Sequence, residues 1–433
     1  MLKKITLLLA LVIMTASMIE AQWVNQGAWP TNAPEGALYK TGQNHSTAVD
    51  PDGKVWVGRY ANVAKYVVAP GDTLPKSVYL LYVFNPDGTQ TSFSPIFHVM
   101  GDTMYSTTQR GMRTNIDGNI ILATGFPSMY IIDYKTGKGL KRVTLPSTNG
   151  PNGPCVAADG TIFIGTVFSG QRPVEMYDQN LTLIGSAITV APGFSRSFEV
   201  SKNGNTIYWA GYTTGKVYVY KRADEFSSFE IKDSIMIGAK VESFAWRPNT
   251  NQLWMSGGSQ NDQPSPPYTK GTWYAYDVVQ NKVVDSLKWK WKDETSEATK
   301  AERPRAIAFT PDGNTAYIGC FGVAASDLLQ KVVFGGSSVK ELDEIPTGYD
   351  LSQNYPNPFN PTTNIKFSIP EQGFVSLKVY NTIGQEVAVL VNELKSTGSY
   401  IVDFDASSLA SGIYMYTLTT GNVTLSKKML LVK

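Results

Sequence analysis

Residues 46–58 read STAVDPDGKVWVG: a short apolar run, an Asp/Gly turn, then a second run in which a large residue, Trp56, is followed two places on by a small one, Gly58. Five more segments repeat the phrase: RTNIDGNIILATG from Arg113, CVAADGTIFIGT from Cys155, FEVSKNGNTIYWAG from Phe198, FAWRPNTNQLWMSG from Phe244 and IAFTPDGNTAYIGC from Ile307. Two β-runs joined by an Asx/Gly turn make a hairpin, and recurrence of one such unit along a chain marks a repeat architecture.

The large column is Trp56, Ile121, Phe163, Tyr208, Trp254 and Tyr317, at spacings of 65, 42, 45, 46 and 63 residues; the small column is Gly58, Ala123, Gly165, Ala210, Ser256 and Gly319. A period of about 40–45 residues is that of one four-stranded propeller blade, and third strands follow most units, as at Tyr130–Tyr134, Val174–Tyr177 and Val217–Tyr220. The pattern predicts an all-β chain with a six-bladed β-propeller over 22–345, or seven blades if Trp23–Lys40 contributes strands. The large column is expected to pack between blades, and the small column to let neighbouring backbones approach. The DG-x-x-W-x-G phrasing resembles the repeats of sensor-type and lyase-like propellers, a likeness that bears on fold and says little of function.

Composition, rich in Tyr, Thr, Val and Gly, leans towards β. Of 433 residues, 42% are hydrophobic and 12% aromatic, with 38 Gly and only 2 Cys, which excludes a disordered chain, a collagen and a disulfide scaffold. Lys and Arg total 38 against 36 Asp and Glu, so there is no basic field for nucleic acid. Residues 1–21, MLKKITLLLALVIMTASMIEA, have the order of a secretory signal peptide: two lysines, an uncharged run and a small residue at the cut. That run is shorter than the roughly 20 residues of a membrane-spanning helix, and no transmembrane segment is expected in the mature chain.

Beyond Leu351 the character changes. The segment reads as short alternating strands, Asn364–Ile369, Phe374–Asn381, Glu386–Asn392, Tyr400–Phe404, Ile413–Thr419 and Thr424–Val432, which predict a small antiparallel β-sandwich. The ribbon before them is rich in proline and is expected to wrap as extended chain rather than join a ladder centrally. Its residues Asn354, Pro356, Asn357, Pro358, Phe359, Asn360 and Pro361, followed by Lys378-Val-Tyr-Asn381 with Gly384, then Gly412 and Tyr414, and finally Lys427 and Lys428 before the terminal Leu430–Lys433, form a motif set. This set resembles the type A C-terminal sorting domain of cargo for the type IX (Por) secretion system of Bacteroidetes-like bacteria, over about a fifth of the chain. The resemblance implies partners, namely an outer-membrane translocon and its sorting peptidase. It also implies a protein secreted or attached to the outer cell surface after the leader and the sorting domain are removed. The expected division is a leader over 1–21, the propeller over 22–345, a linker over 346–353 with the cut near Glu344–Tyr349, and the sorting domain over 354–433.

A ligand site is sought where blades converge. Counting back five residues from each turn gives His45, Arg110, Asn152, Arg196, Glu242 and Arg305, all polar, followed by a column of Ser46, Gly111, Gly153, Ser197, Ser243 and Ala306. If these open the innermost strands, six polar groups ring the mouth of the central channel, on the same face as the long inserts Ala61–Ser77 and Ser259–Lys270. Three arginines against one Glu favour an anionic ligand, since a guanidinium presents paired donors to a carboxylate, sulfate or phosphate. The competing reading is solvated channel lining. The ring is thus a candidate for binding a glycan or protein partner. The alternative function is an extracellular lyase or hydrolase acting on a polysaccharide or lactone, with His45 and Glu242 as an acid/base pair. No local motif marks catalytic residues, a metal site or a cofactor, and the arginines argue against a lactonase-type calcium site. His98 is expected in a buried or edge position, and Cys155 and Cys320 as inert thiols too far apart to bridge. Tyr268, beside Pro264–Pro267, either stacks on sugar or braces its loop.

Overall fold

A computed structural model describes residues 23–31, 44–60, 66–69, 72–104, 108–124, 128–145, 150–166, 174–259, 262–291, 303–322, 329–334, 339–342, 346, 348–395, 397–406, 409–421 and 423–433. Regular structure among them is entirely β, arranged in antiparallel sheets. Contacts divide the chain into two units, one spanning Trp23–Phe334 and one containing Gly335–Lys433.

Among the described residues, the first unit holds six sheets of three or four strands, one for each repeated phrase, and two two-stranded ribbons, Val67–Ala69 with Asp72–Thr73 and His98–Val99 with Asp102–Thr103. In the first two repeats the hairpin turn is made by its own Asx side chain. Asp50 Oδ1 accepts the backbone N–H groups of Asp52 and Lys54 at 3.0 and 2.9 Å, while Gly53 supplies the positive φ of +79°. Asn115 does the same for Asp117 and Asn119 ahead of Gly118. Sheets two to five run in sequence order from first strand to fourth, with first strands Gln109–Thr114, Cys155–Val156, Phe198–Val200 and Phe244–Trp246. Sheet one has three strands, Asn44–Val49, Val55–Arg59 and Tyr82–Phe84, with isolated bridges from Leu81 to Ile96 and Phe84 to Gln90 along its outer edge. Sheet six takes Arg303–Phe309, Thr315–Phe321 and Leu329–Phe334 in order, and its outermost strand is Trp23–Trp29 from the other end of the unit. The N-terminal stretch therefore completes an existing sheet.

Packing runs from each sheet to the next and back to the start. Trp56 is buried between sheets one and two with Met112, Leu122 and Tyr130, and Ile121 between two and three with Ile162 and Tyr177. Phe163, Tyr208 and Trp254 fill the next three interfaces, and Tyr317 lies between sheets six and one with Val57 and Tyr82. The first strands touch in the same cyclic order, the sixth meeting the first. The large column is thus inter-sheet packing in all six repeats.

The small column does something other than expected. A Cβ on Gly58 would meet Ser46 Oγ at 2.1 Å, and one on Gly319 would meet Asn44 Oδ1 at 2.1 Å, so these glycines make room for polar side chains of the first strands. Close backbone approach occurs instead one column earlier, where a Cβ on Gly111 would lie 2.1 Å from Gly153 Cα. Ser46 and Ser243, in that same column, donate to the Gln109 and Pro304 carbonyls of the following sheet at 3.1 and 2.9 Å.

The second unit packs two four-stranded sheets as a sandwich. One has the order Val339–Leu342, Gly398–Asp405, Thr362–Ile369, Asp350–Leu351; the other Glu386–Lys395, Gly373–Tyr380, Gly412–Thr420, Val423–Leu431. Ile365, Phe367, Leu377, Val402, Tyr416 and Met429 lie in the shared core. Val339–Leu342, within the stretch read from sequence as propeller, pairs here with Ser399–Val402.

Candidate functional site

In the first unit, the segments at the head of the first strands open on one shared cavity. His45, Arg110, Arg196, Glu242 and Arg305 all line it. Asn152 does not: Gly153 takes its place on the wall, and the Asn152 amide is buried over Gly165, 2.4 Å from where a Cβ would stand.

Glu242 is the electrostatic centre. Its carboxylate is fully buried, ion-paired through Oε2 with Arg305 Nε and, at 3.8 Å, with Arg196 Nε. Burial pushes its pKa up to about 7, a rise to which the Asp262 carboxylate adds and which Arg305 and Arg196 oppose. Burial also lowers Arg305, to about 10, with Glu242 working the other way.

His45 is held as one neutral tautomer. Nδ1 lies 3.1 Å from the Arg110 carbonyl, which only accepts, so Nδ1 carries the proton; Nε2 lies 3.3 Å from Arg305 Nη1, which only donates, so Nε2 is bare. Burial, followed by the charges of Arg305 and Arg110, holds its pKa well below the usual imidazole range. With both nitrogens committed, His45 is pinned to the Arg110 backbone and accepts from the Arg305 guanidinium.

Aromatic rings back each guanidinium. Arg110 lies 5.9 Å from the Tyr60 ring, Arg196 lies 4.8 Å from Tyr212 and 5.1 Å from Phe194, and Arg305 lies 5.3 Å from Phe321. Tyr60 also stacks on His45 at 5.5 Å and meets Phe321 edge-on at 4.8 Å. Sequence reading missed this collar, although Tyr60, Tyr212 and Phe321 share one signal: each stands two residues past the small column. The insert after Ser259 contributes Asp262, which pairs with Arg303 at 3.1 Å. Burial and the hydrogen bond to Asp262 push the Tyr212 hydroxyl up to about 12.

Deeper in the cavity, a strut that the sequence did not disclose crosses between sheets. Arg113, on the first strand of sheet two, donates to Glu199 Oε2 of sheet four at 2.8 Å and to the Phe244 carbonyl of sheet five at 2.6 Å. Cys155 beside it donates to the Phe198 carbonyl, and both cysteines are buried free thiols. Burial raises the Cys155 thiol well above its ordinary pKa.

Other singled-out residues lie elsewhere. His98 is exposed on a two-residue strand, bonded to Thr103. Tyr268 is half-buried against Tyr274 at 5.2 Å, the arrangement of a loop brace. Within the insert Ala61–Ser77, residues 61–65, 70 and 71 lie outside the described residues.

In the second unit the motif residues separate into two classes. Asn354 is buried, its Nδ2 donating to the Pro356 carbonyl at 2.9 Å and to Thr363 at 3.0 Å, and its backbone N–H to the Tyr416 hydroxyl. Phe359 enters the core while its backbone bonds Leu430 and Val432 at 3.0 Å, so the ribbon stitches the last strand of one sheet to the ribbon's own side of the other. Pro361 accepts from Ala406, and the Tyr414 hydroxyl donates to the Ala410 carbonyl near Gly412. Pro356, Asn357, Pro358, Asn360, Lys427 and Lys428 are exposed, as is Tyr355.

Residues 353–433 match the family model described as a secretion system C-terminal sorting domain. The chain thus carries the mark of a secreted type IX cargo, which entails interaction with that secretion machinery and export to the outer surface or beyond. No curated protein matches the chain. Among the described residues, no helix is long and apolar enough to cross a membrane.

Proposed function

We propose that this type IX cargo is a six-bladed β-propeller displayed at or released from the cell surface, and that it binds an anionic group of a glycan or protein partner at the mouth of its central cavity. The six sheets are read as blades because their cores and first strands follow one another cyclically, and the strand Trp23–Trp29 closes the last blade. That arrangement favours six blades over seven. The expected leader over 1–21 lies outside the described residues; with the sorting domain it makes export a two-step passage. Removal of the sorting domain by cutting near Glu344–Tyr349 would require Val339–Leu342 to leave its partner Ser399–Val402.

One observation carries the binding reading: Arg110, Arg196 and Arg305 face a single carboxylate, Glu242, across one cavity, with His45 neutral between them. The deeper Arg113–Glu199 pair and the outer Arg303–Asp262 pair balance themselves. Two positive charges are left in excess, backed by rings that keep water from their faces. The lyase or hydrolase alternative is less favoured, because both nitrogens of His45 are already engaged.

The test is a thermal melt of the full-length chain against inorganic sulfate, acidic oligosaccharides and neutral ones. A ligand at about a hundred times its Kd stabilises by about 2.7 kcal/mol. Stabilisation by anions alone, lost in Arg110→Gln, is the expected result; equal shifts with neutral sugars, or none with any anion, would overturn it.

A further inference from the structure

Resting on the reading of the cavity as an anion site, we infer that its ligand is the end of an acidic saccharide, a terminal sugar bearing a carboxylate or sulfate, seated on Arg110 inside the collar of Tyr60, Phe194, Tyr212 and Phe321. Three features lead there.

Arg110 is the guanidinium left over. Arg196 and Arg305 share Glu242, whereas Arg110 has no carboxylate partner among the described residues, and its Nε is buried without a hydrogen bond. It lies over Tyr60, which braces its face and leaves its edge for a ligand. A carboxylate or sulfate accepts two parallel N–H bonds from such an edge.

The collar suits a sugar ring. Aromatic residues from blades one, four and six surround the charged groups, and Tyr60 is 37% exposed. The exposed part of Tyr60 packs on the C–H side of a pyranose while the guanidinium takes its charged substituent. A polyphosphate or nucleic acid would meet an excess of only two charges in an almost neutral chain, too little for a polyanion.

The floor makes recognition end-on. Arg113 ties blades two, four and five together across the cavity, so a polymer cannot thread the channel. A cavity floored in this way meets a chain terminus rather than a threaded internal stretch.

The experiment is isothermal titration of the full-length chain with oligogalacturonides and heparin-derived oligosaccharides of increasing length, with neutral maltooligosaccharides and an acidic peptide alongside. The expected result is one protein bound per oligosaccharide at every length, a Kd per chain end that does not change with length, and weakening of about tenfold or more in Arg110→Gln and in Tyr60→Ala. Tryptophan emission verifies that both variants are folded. Protein bound per chain rising with length would replace end-on by internal binding and overturn the inference. Tighter binding of the acidic peptide would do so too, in favour of a protein partner. In both cases the anion site survives. No response to any saccharide, peptide or inorganic sulfate would overturn the anion-site reading itself.

Discussion

The sandwich and the six-sheet unit treat buried polarity in opposite ways. The sandwich closes around an apolar core, and the polar residue its motif carries inward, Asn354, spends its amide on Pro356 and Thr363. The six-sheet unit keeps its apolar contacts between sheets and turns charged side chains into a shared cavity, where Glu242 and Arg305 are buried together. A closed core has nothing to offer a partner except its outside, so recognition of the sandwich rests with exposed groups such as Tyr355, Pro358 and Lys428. A cavity lined by unbalanced charge can take a ligand in.

Variants can separate the two strategies, because all nine tryptophans lie between Trp23 and Trp291 and report on the first unit alone. Phe359→Ala should destabilise the sandwich by about 3–5 kcal/mol, seen by circular dichroism in denaturant, with the tryptophan transition unmoved. Glu242→Ala should cost a similar 3–5 kcal/mol in the tryptophan transition, since it leaves Arg305 buried without its carboxylate. If either change moved the other unit's transition equally, the two would not be independent structures. Gly111→Ala should lower the tryptophan transition by about 1–3 kcal/mol, because its Cβ would collide with Gly153.

The smallest effect is one of pH. Glu242 keeps its proton up to about pH 7 when folded but releases it near 4.5 when unfolded. The folded state therefore binds the extra proton, and its contribution to stability, full below pH 4.5, fades as pH rises to 7. Arg305, Arg196 and Asp262 all act on this carboxyl, and Glu242→Gln should flatten the slope of the tryptophan transition over that window. A slope unchanged in that variant would assign it to other groups.

Much of this was legible in the sequence, for physical reasons. The Asx/Gly turn and the large column recur because every sheet solves the same two local problems, closing a hairpin and filling the gap to its neighbour. The position five residues before each turn was legible as well, and five of its six residues reach the cavity. Asn152 misled because its amide turns instead into the space that a Cβ on Gly165 would fill. The Arg113–Glu199 strut was hidden because its two residues stand 86 positions apart and meet only once the sheets are arranged. The start of the sandwich was hidden because Val339–Leu342 carries none of the motif residues.

The pairing of Trp23–Trp29 with Leu329–Phe334 sets an order in time. The first strand of this unit to leave the ribosome has its partner some 300 residues behind it. Until that partner is made, Trp23 and Trp29 have no sheet to join and the sixth apolar interface has only one wall. Such long-range closure is slow relative to local hairpin formation. A chain destined for export gains from that delay, since it stays unclosed, and so threadable, through its own synthesis.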